Sequence, residues 1–299
     1  MFDLVTVSNF TIDLIISDTI PNSSATLGGP PTYVSLAARQ LGSTVSVISK
    51  VGENFSEEHV SWLKTNDIDL SGLKRVKDAL TTSFILRYIN GKRKLQLKSQ
   101  ALSILLEDIP DSLSSKAIHI SPVAGEISQE VVHKLRKQTI TLSLDPQGFV
   151  RKFDKKGNMH LKKWEESNIL EKIDIYKSAL EEIKIITRIS DLRTCMKKIH
   201  GMGSKIVMVT SGIKGSTLLF DEQFYNIPPC KPEVVKDYTG AGDTFIGAFL
   251  AEYVKGENPV WCACAGSAAA SVKIESIGPT LLGGKQEIYK RAREIFKKV

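Results

Sequence analysis

Cysteine is scarce in this chain. The four residues present, Cys195, Cys230, Cys262 and Cys264, have spacings that match no metal-binding pattern, and they read as reduced packing residues of a cytoplasmic protein. Aromatic residues are also few, at 7%, and they do not interleave with clustered cations, so a nucleic-acid-binding face is not expected. Long apolar runs are missing. Segments such as Ile206–Val209 are far too short to span a bilayer, which excludes a helical membrane anchor within this sequence. The start, Met1-Phe2-Asp3-Leu4-Val5, has neither a basic region nor a small-residue cleavage site, so no secretory signal is expected. Repeats, low-complexity tracts and long linkers are absent as well.

What remains is ordinary globular composition, 42% hydrophobic and 24% charged, in a chain long enough to bury a sizeable core. The formal net charge is +7. Its lysines are scattered, and the densest group, Lys152, Lys155, Lys156, Lys162 and Lys163, lies in a turn-like, solvated setting. A small anionic ligand such as a nucleotide fits that charge equally well.

Strand-like and helix-like segments alternate. Leu4–Val7 and Val45–Val51 are β-rich; between them Pro30-Pro31 opens a helical pattern that stops at Gly42. Ala117–Ser121 precedes helix-like Gln129–Lys137, Thr141–Asp145 follows, and Ile206–Thr210 comes after helix-like Asp191–His200. This order predicts an α/β fold, a doubly wound and mainly parallel sheet with helices on both faces. One section breaks the rhythm: Thr82–Ile89 and Arg93–Lys98 flank Asn90-Gly91, a hairpin signal. A hairpin inserted there projects from the main sheet, and residues 81–100 are expected to form a β-lid over the strand ends where open α/β sheets bind ligands.

The stretch Asp237-Tyr238-Thr239-Gly240-Ala241-Gly242-Asp243-Thr244-Phe245 carries the chemistry. Two glycines stand where a helix begins. The free N–H groups of a first helical turn attract anions, and glycine lets an anion approach them closely. Asp243 beside such a cradle repels an anion, unless its task is to take a proton from a hydroxyl that attacks a phosphoryl group. No Gly-x-Gly-x-x-Gly follows the first strand, where Ser8-Asn9-Phe10 stands instead, so a dinucleotide-dependent dehydrogenase is disfavoured.

These residues resemble the C-terminal signature of the ribokinase-like (PfkB) carbohydrate kinases, and the resemblance covers nearly the whole chain, residues 1–299 as one kinase domain. Asn9 to Asp13 is similar to that family's first strand and its substrate-gripping aspartate. Gly28-Gly29 matches the family's di-glycine stretch, and the 81–100 hairpin sits where the family carries its lid. The resemblance implies Mg-ATP-dependent phosphorylation of a hydroxyl on a sugar, sugar acid or cyclitol. Asp243 is then the base, with Gly240, Ala241 and Gly242 forming the anion hole. Substrate contacts fall to Asp13, Gly28, Gly29, Tyr33 and Asn9, and nucleotide contacts to Ser178, Thr210, Gly212, Gly215 and Ser267. Glu181 would act on Mg2+ through water, and Asp237 and Thr239 resemble positions that bind a monovalent cation, K+, in some members. Relatives often pair through lid strands, which implies a homodimer. A nucleoside kinase of the same family, or a catalytically idle sugar- or nucleotide-binding protein on the same fold, are the alternatives.

Several positions depart from the family pattern. Tyr33 stands where an asparagine is common, Asn54 and Glu57 replace the usual acid and glycine after Gly52, and Ser178 replaces the asparagine of the metal element. Ala265-Gly266-Ser267-Ala268 also lacks a frequent asparagine. Asp145-Pro146-Gln147-Gly148-Phe149, followed by Arg151 and Trp164, resembles a subgroup that includes inositol-type kinases.

Overall fold

The computed structural model describes residues 1–17, 25–89, 92–164, 167–280 and 284–299. The hairpin tip at Asn90-Gly91 lies outside the described residues. The strands are β1 (Phe2–Val7), β2 (Thr11–Ser17), β3 (Ala25–Gly28), β4 (Val45–Gly52), β5 (Ile68–Val76), β6 (Thr82–Ile89), β7 (Lys92–Ser99), β8 (Ser115–Ile120), β9 (Thr139–Leu144), β10 (Arg151–Phe153), β11 (Met159–Leu161), β12 (Ile175–Ala179), β13 (Ile206–Thr210), β14 (Ser216–Phe220) and β15 (Gln223–Ile227). The helices are α1 (Pro30–Gln40), α2 (Glu57–Thr65), α3 (Gln129–Arg136), α4 (Gln147–Val150), α5 (Leu180–Thr187), α6 (Leu192–Gly201), α7 (Ala241–Tyr253), α8 (Pro259–Ile274) and α9 (Gly284–Phe296).

Nine strands form the main sheet in the order β15-β14-β13-β12-β9-β8-β1-β4-β5. Neighbours from β13 through to β5 pair in parallel, as the strand–helix alternation requires. The exception is the β13-β14-β15 end, which is antiparallel. Its two-residue loop, Asp221-Glu222, holds both residues at positive φ, 52° and 57°. Hairpin turns of that kind favour Asn-Gly or Asp-Gly, so Asp-Glu gave no signal. Two cores flank the sheet, as buried helices on both faces demand. One gathers α1, α7 and α8 residues such as Val34, Phe249 and Ala268; the other gathers α3, α5 and α6 residues such as Leu135, Ile183 and Ile199. Helices α1 and α7 touch closely, since a Cβ on Gly247 would lie 2.4 Å from the Val34 carbonyl oxygen.

The lid is larger than the hairpin. β6 and β7 pair as expected, but β2 and β3 join them in a second sheet ordered β3-β2-β6-β7. This corrects the placement of Asp13, which was expected at the end of the first parallel strand. β1 ends at Val7, the chain bends through Ser8-Asn9-Phe10, and Asp13 rides on lid strand β2. Phe10, fully buried and 5.6 Å from the Phe55 ring, pins this elbow; burial of such a ring contributes about 2–3 kcal/mol.

The lysine-rich stretch is also more ordered than a solvated turn. β10 and β11 form a small hairpin whose turn reaches the lid, where Leu97 donates its N–H to the Gly157 carbonyl at 2.8 Å. Phe153 and Met159 pack against the lid cluster of Phe84, Leu86 and Leu95, while Lys152, Lys155 and Lys156 stay exposed. All four cysteines are free, three of them buried.

Candidate active site

The parallel strands end on one side, where the N-terminus of α7 meets the lid. Gly240 caps that helix in the left-handed region, φ 77°. A Cβ there would lie 2.4 Å from the Tyr33 ring, so both its conformation and its surroundings demand glycine. The Ala241 N–H is spent on the Tyr238 carbonyl at 3.3 Å; Asp243 follows within the first turn, where the N–H groups of Gly242 and Asp243 have no helical partner.

A cleft opens at this point. Asp13, Gly29, Tyr33, Thr239, Gly240 and Asp243 all line it, together with Arg93, Gln147 and Arg151. Residues from four distant stretches therefore converge. Phe84, Leu86 and Leu95 of the lid give it an apolar wall. The lid is tied to the helix entrance by a 3.0 Å hydrogen bond between the Tyr88 and Thr239 hydroxyls.

The electrostatics of the cleft are unusual. Burial pushes the Asp13 carboxyl up to about 7; the nearby Thr11 hydroxyl and Arg93 partly offset this, and the Asp237 and Asp243 carboxylates add to it. Burial likewise pushes Asp243 up to about 6, against the pull of Lys177, with Asp145 adding to the rise and Arg151 opposing it. Two buried polar atoms here, Asp13 Oδ1 and the Tyr33 hydroxyl, have no hydrogen-bond partner among the described residues. Orphaned buried groups are costly, and a ligand bearing hydroxyls would satisfy both. Gly28 is a second close approach, for a Cβ there would lie 2.2 Å from Asp13 Oδ2.

Behind Asp243 stands a charged layer. Lys177 on β12 is buried and contacts Asp145 Oδ2 at 2.5 Å. Its Nζ lies 2.9 Å from where a Gly242 Cβ would stand, so Gly242 exposes backbone directly to an ammonium. The Asp145 and Asp243 carboxylates hold Lys177 above the ordinary lysine range despite burial. Gln147 donates to Asp243 Oδ1 at 3.4 Å and to the Ser121 hydroxyl at 3.0 Å. Arg151 donates to Gln147 Oε1 and to the Val123 carbonyl.

Known proteins resemble this chain. Residues 1–282 match the model of the pfkB family carbohydrate kinases. The chain belongs to that family. It is a kinase, of the class that phosphorylates carbohydrates, cyclitols or nucleosides. It is 28% identical to a cytidine kinase of Thermococcus kodakarensis, over 86% of this chain and 90% of that one. It is also 28% identical to an inositol 3-kinase of Arabidopsis thaliana, over 91% of this chain and 74% of the other. A solved pyrophosphate-dependent kinase of the ribokinase family, complexed with a pyrophosphate analog and myo-inositol, superposes with a TM-score of 0.81 at 27% identity, covering 96% and 99% of the two chains.

Not every expected pfkB-family site residue reaches the cleft. Asn9 is fully buried and its amide is spent internally, donating to the Leu102 carbonyl at 3.1 Å and accepting from the Lys50 N–H at 2.8 Å. It braces the elbow before the lid rather than facing a substrate. Ser178 is completely buried within β12. Gly215 serves a tight turn, where a Cβ would lie 2.3 Å from the Ile227 carbonyl oxygen. Ser267 donates to the Pro228 carbonyl at 3.1 Å. Thr210 ends β13 and Gly212 begins the turn after it; neither lines the cleft of Asp13 and Asp243.

The acid expected at the metal, Glu181, has a neighbour that turns inward in its place. Glu181 is 72% exposed and faces Lys184, whereas Glu182 is half-buried and accepts the Ala179 N–H at 2.8 Å. Burial raises Glu182 above the ordinary carboxylate range; Asp145 adds to this, and Arg151 and Lys177 oppose it. Among the described residues no three His, Cys, Asp or Glu side chains gather to hold a metal directly. Mg2+ keeps most of its water and takes one or two carboxylates plus phosphate oxygens, and Glu182 is the inward-turned carboxylate of this pair. The monovalent cation does not fit, because the Lys273 ammonium already occupies the space beside Asp237.

Sequence reasoning missed Lys177, Lys273, Arg93 and Glu182. Arg151 and Gln147 were visible only as part of the Asp145–Trp164 signature. A lone lysine among 40 basic residues carries no local mark of its role.

Proposed function

We propose that this cleft transfers the γ-phosphoryl group of Mg-ATP to a hydroxyl of a sugar, sugar acid or cyclitol, with Asp243 as general base. The observation that carries this reading is the pair of unpartnered buried atoms, Asp13 Oδ1 and the Tyr33 hydroxyl, in the same cleft as Asp243. An acceptor polyol would hydrogen-bond to both and rest its C–H face on Phe84, Leu86 and Leu95. Its reacting hydroxyl would then meet the Asp243 carboxylate, which takes the proton as the oxygen attacks phosphorus. The N–H groups of Gly242 and Asp243, with Lys177 behind Gly242, stabilise charge that develops on the transferred group. When bound, Mg2+ neutralises charge on the donor phosphates.

A second donor has specific support. Of the residues expected on the nucleotide, Gly215 is held in a tight turn and Ser267 bonds to the Pro228 carbonyl, and a structural relative at 27% identity is pyrophosphate-dependent. Inorganic pyrophosphate is therefore the alternative to ATP. The deciding experiment offers ATP and pyrophosphate in parallel with ribose, fructose, myo-inositol, 2-keto-3-deoxygluconate and nucleosides including cytidine. Phosphorylated product with ATP and a non-nucleoside polyol is expected. No product with any pairing would remove the phosphotransfer reading, and a nucleoside as the best acceptor would replace the acceptor class.

The two adjacent glutamates separate cleanly. Glu182→Gln is expected to lower kcat by about 10–100-fold, the usual effect of a group that acts on a metal through water. Glu181→Gln should stay within about twofold of wild type, as an exposed side chain does. Equal effects in steady-state assays would reject Glu182 as the acid at the metal.

A further inference from the structure

Beneath the helix entrance lies a buried ammonium that the phosphotransfer chemistry does not itself require. Lys273 stands in the last turn of α8 and is completely buried, as is the Asp237 side chain. Its Nζ lies 3.2 Å from the Ser276 carbonyl oxygen, 3.5 Å from the Asp237 carbonyl oxygen and 3.5 Å from Asp237 Oδ2. Two main-chain carbonyls and a carboxylate form the oxygen set that a hard inorganic cation takes. Asp237 is otherwise held by backbone donors: the Thr239 N–H at 2.8 Å on Oδ1 and the Gly278 N–H at 3.3 Å on Oδ2. The ammonium also sits 5.6 Å over the Tyr33 ring, and an added Cβ on Gly240 would lie 2.4 Å from the same ring. Ammonium and Gly240 thus both neighbour this ring at the helix entrance.

A second cation cannot share this space. The carbonyls of Asp237 and Ser276 already face a positive charge, the fully buried Lys273 ammonium. We propose that the Lys273 ammonium is a built-in monovalent cation, which holds the Asp237–Gly240 loop and makes this kinase independent of K+. Lys273 is a positioning residue in this scheme: it touches neither substrate nor donor and acts through Asp237 and Tyr33. Burial alone pushes the lysine down, while the Asp237 carboxylate pulls it back toward the charged form. Removal of the side chain leaves a buried carboxylate without its counter-charge, which is strongly unfavourable, and opens a cavity lined by the same oxygens. An ion entering that cavity would restore the balance.

The inference rests on the kinase reading only for its rate measurement, so the experiment has a second, activity-free arm. Wild type, Lys273→Ala and Lys273→Met are purified in K+ and exchanged into 100 mM tetramethylammonium, Na+ or K+ chloride; melting temperature and initial rate are then measured. Wild type is expected to change by less than about 1 °C and less than about twofold in rate between salts. Lys273→Ala should gain about 3 °C or more in K+ in a saturable manner, and K+ should restore a rate that is reduced about tenfold or more without it. Lys273→Met fills the cavity without charge and should respond to no cation. Saturable K+ stabilisation of the wild type overturns the proposal, and needs no variant to fold. A folded Lys273→Ala protein as indifferent to K+ as wild type also overturns it, since a purely structural salt bridge predicts that outcome. Melting shifts as expected with no phosphorylated product from any donor would leave the ammonium's role standing and remove the kinase reading instead.

Discussion

Asp243→Asn is expected to lower kcat by about 10²–10⁴-fold, the usual contribution of a positioned general base. Melting temperature and donor binding should change little. Asparagine keeps the size and can still meet Gln147, but it cannot take a proton. The pH profile gives an independent check. The Asp243 carboxyl is pushed up to about 6 and works only when ionised, so wild-type kcat should fall about tenfold per unit below pH 6. That limb should vanish in the variant, whose residual rate reflects the cradle alone. The Asp243 carboxylate raises Asp13, so apparent values from kcat/KM belong to the pair. Normal turnover by Asp243→Asn with the best acceptor would show that another group takes the proton.

The second large effect separates function from stability at one residue. Asp13 is buried with its carboxyl raised to about 7 from an ordinary 3.8. The folded state therefore holds a proton that the unfolded chain releases. The stabilisation from this protonated form is full below about pH 4 and is lost as pH rises through 7. Asp13→Asn lacks this slope and should melt about 2–6 °C higher than wild type at pH 8, with the gap closing towards pH 4. The same change should reduce kcat/KM for the acceptor by about 10²-fold, since charge-assisted hydrogen bonds to hydroxyls are lost. Because the Asp243 chemistry is untouched, most of that loss should fall in KM. Thermal melts at pH 4, 6 and 8 with steady-state kinetics decide it. A variant less stable than wild type at pH 8 would mean that Asp13 is a fold-supporting residue instead of a substrate-binding one.

The two aspartates show why a strained site and a stable fold are balanced here. Both are costly to ionise where they stand, and both are held near neutrality by basic groups from other elements, Arg93 for Asp13 and Lys177 for Asp243. The cleft keeps its charges poised, which suits proton transfer near neutral pH. The lid contributes to this by supplying Asp13 and Arg93 as well as the apolar wall.

Features set by contiguous residues were open to reading in advance. The alternation of β-rich and amphipathic segments determined a mainly parallel sheet, because side-chain periodicity is a local property. The glycines of 240–242 and the acid at 243 determined a helix start with a carboxylate beside its free N–H groups, because those groups and the residue three positions on belong to one turn. The hairpin around residues 90–91 was legible for the same reason, through turn chemistry.

Tertiary structure alone decided the rest. The Glu181 and Glu182 side chains differ by about 100° around the helix axis, so only the packing of α5 shows that Glu182 turns inward while Glu181 meets water. Three residues, Ser8-Asn9-Phe10, carry the chain from one sheet into another, and no local pattern marks that change of partner; hence Asp13 lies on the lid. Lys177 finds Asp145 across 32 residues and Lys273 finds Asp237 across 36. In the sequence these are two lysines among many, and what distinguishes them is the loss of water around each ammonium once the chain has folded. The same two glycines that announced a phosphoryl cradle thus rest on a cation the sequence could only suggest as an ion from solution.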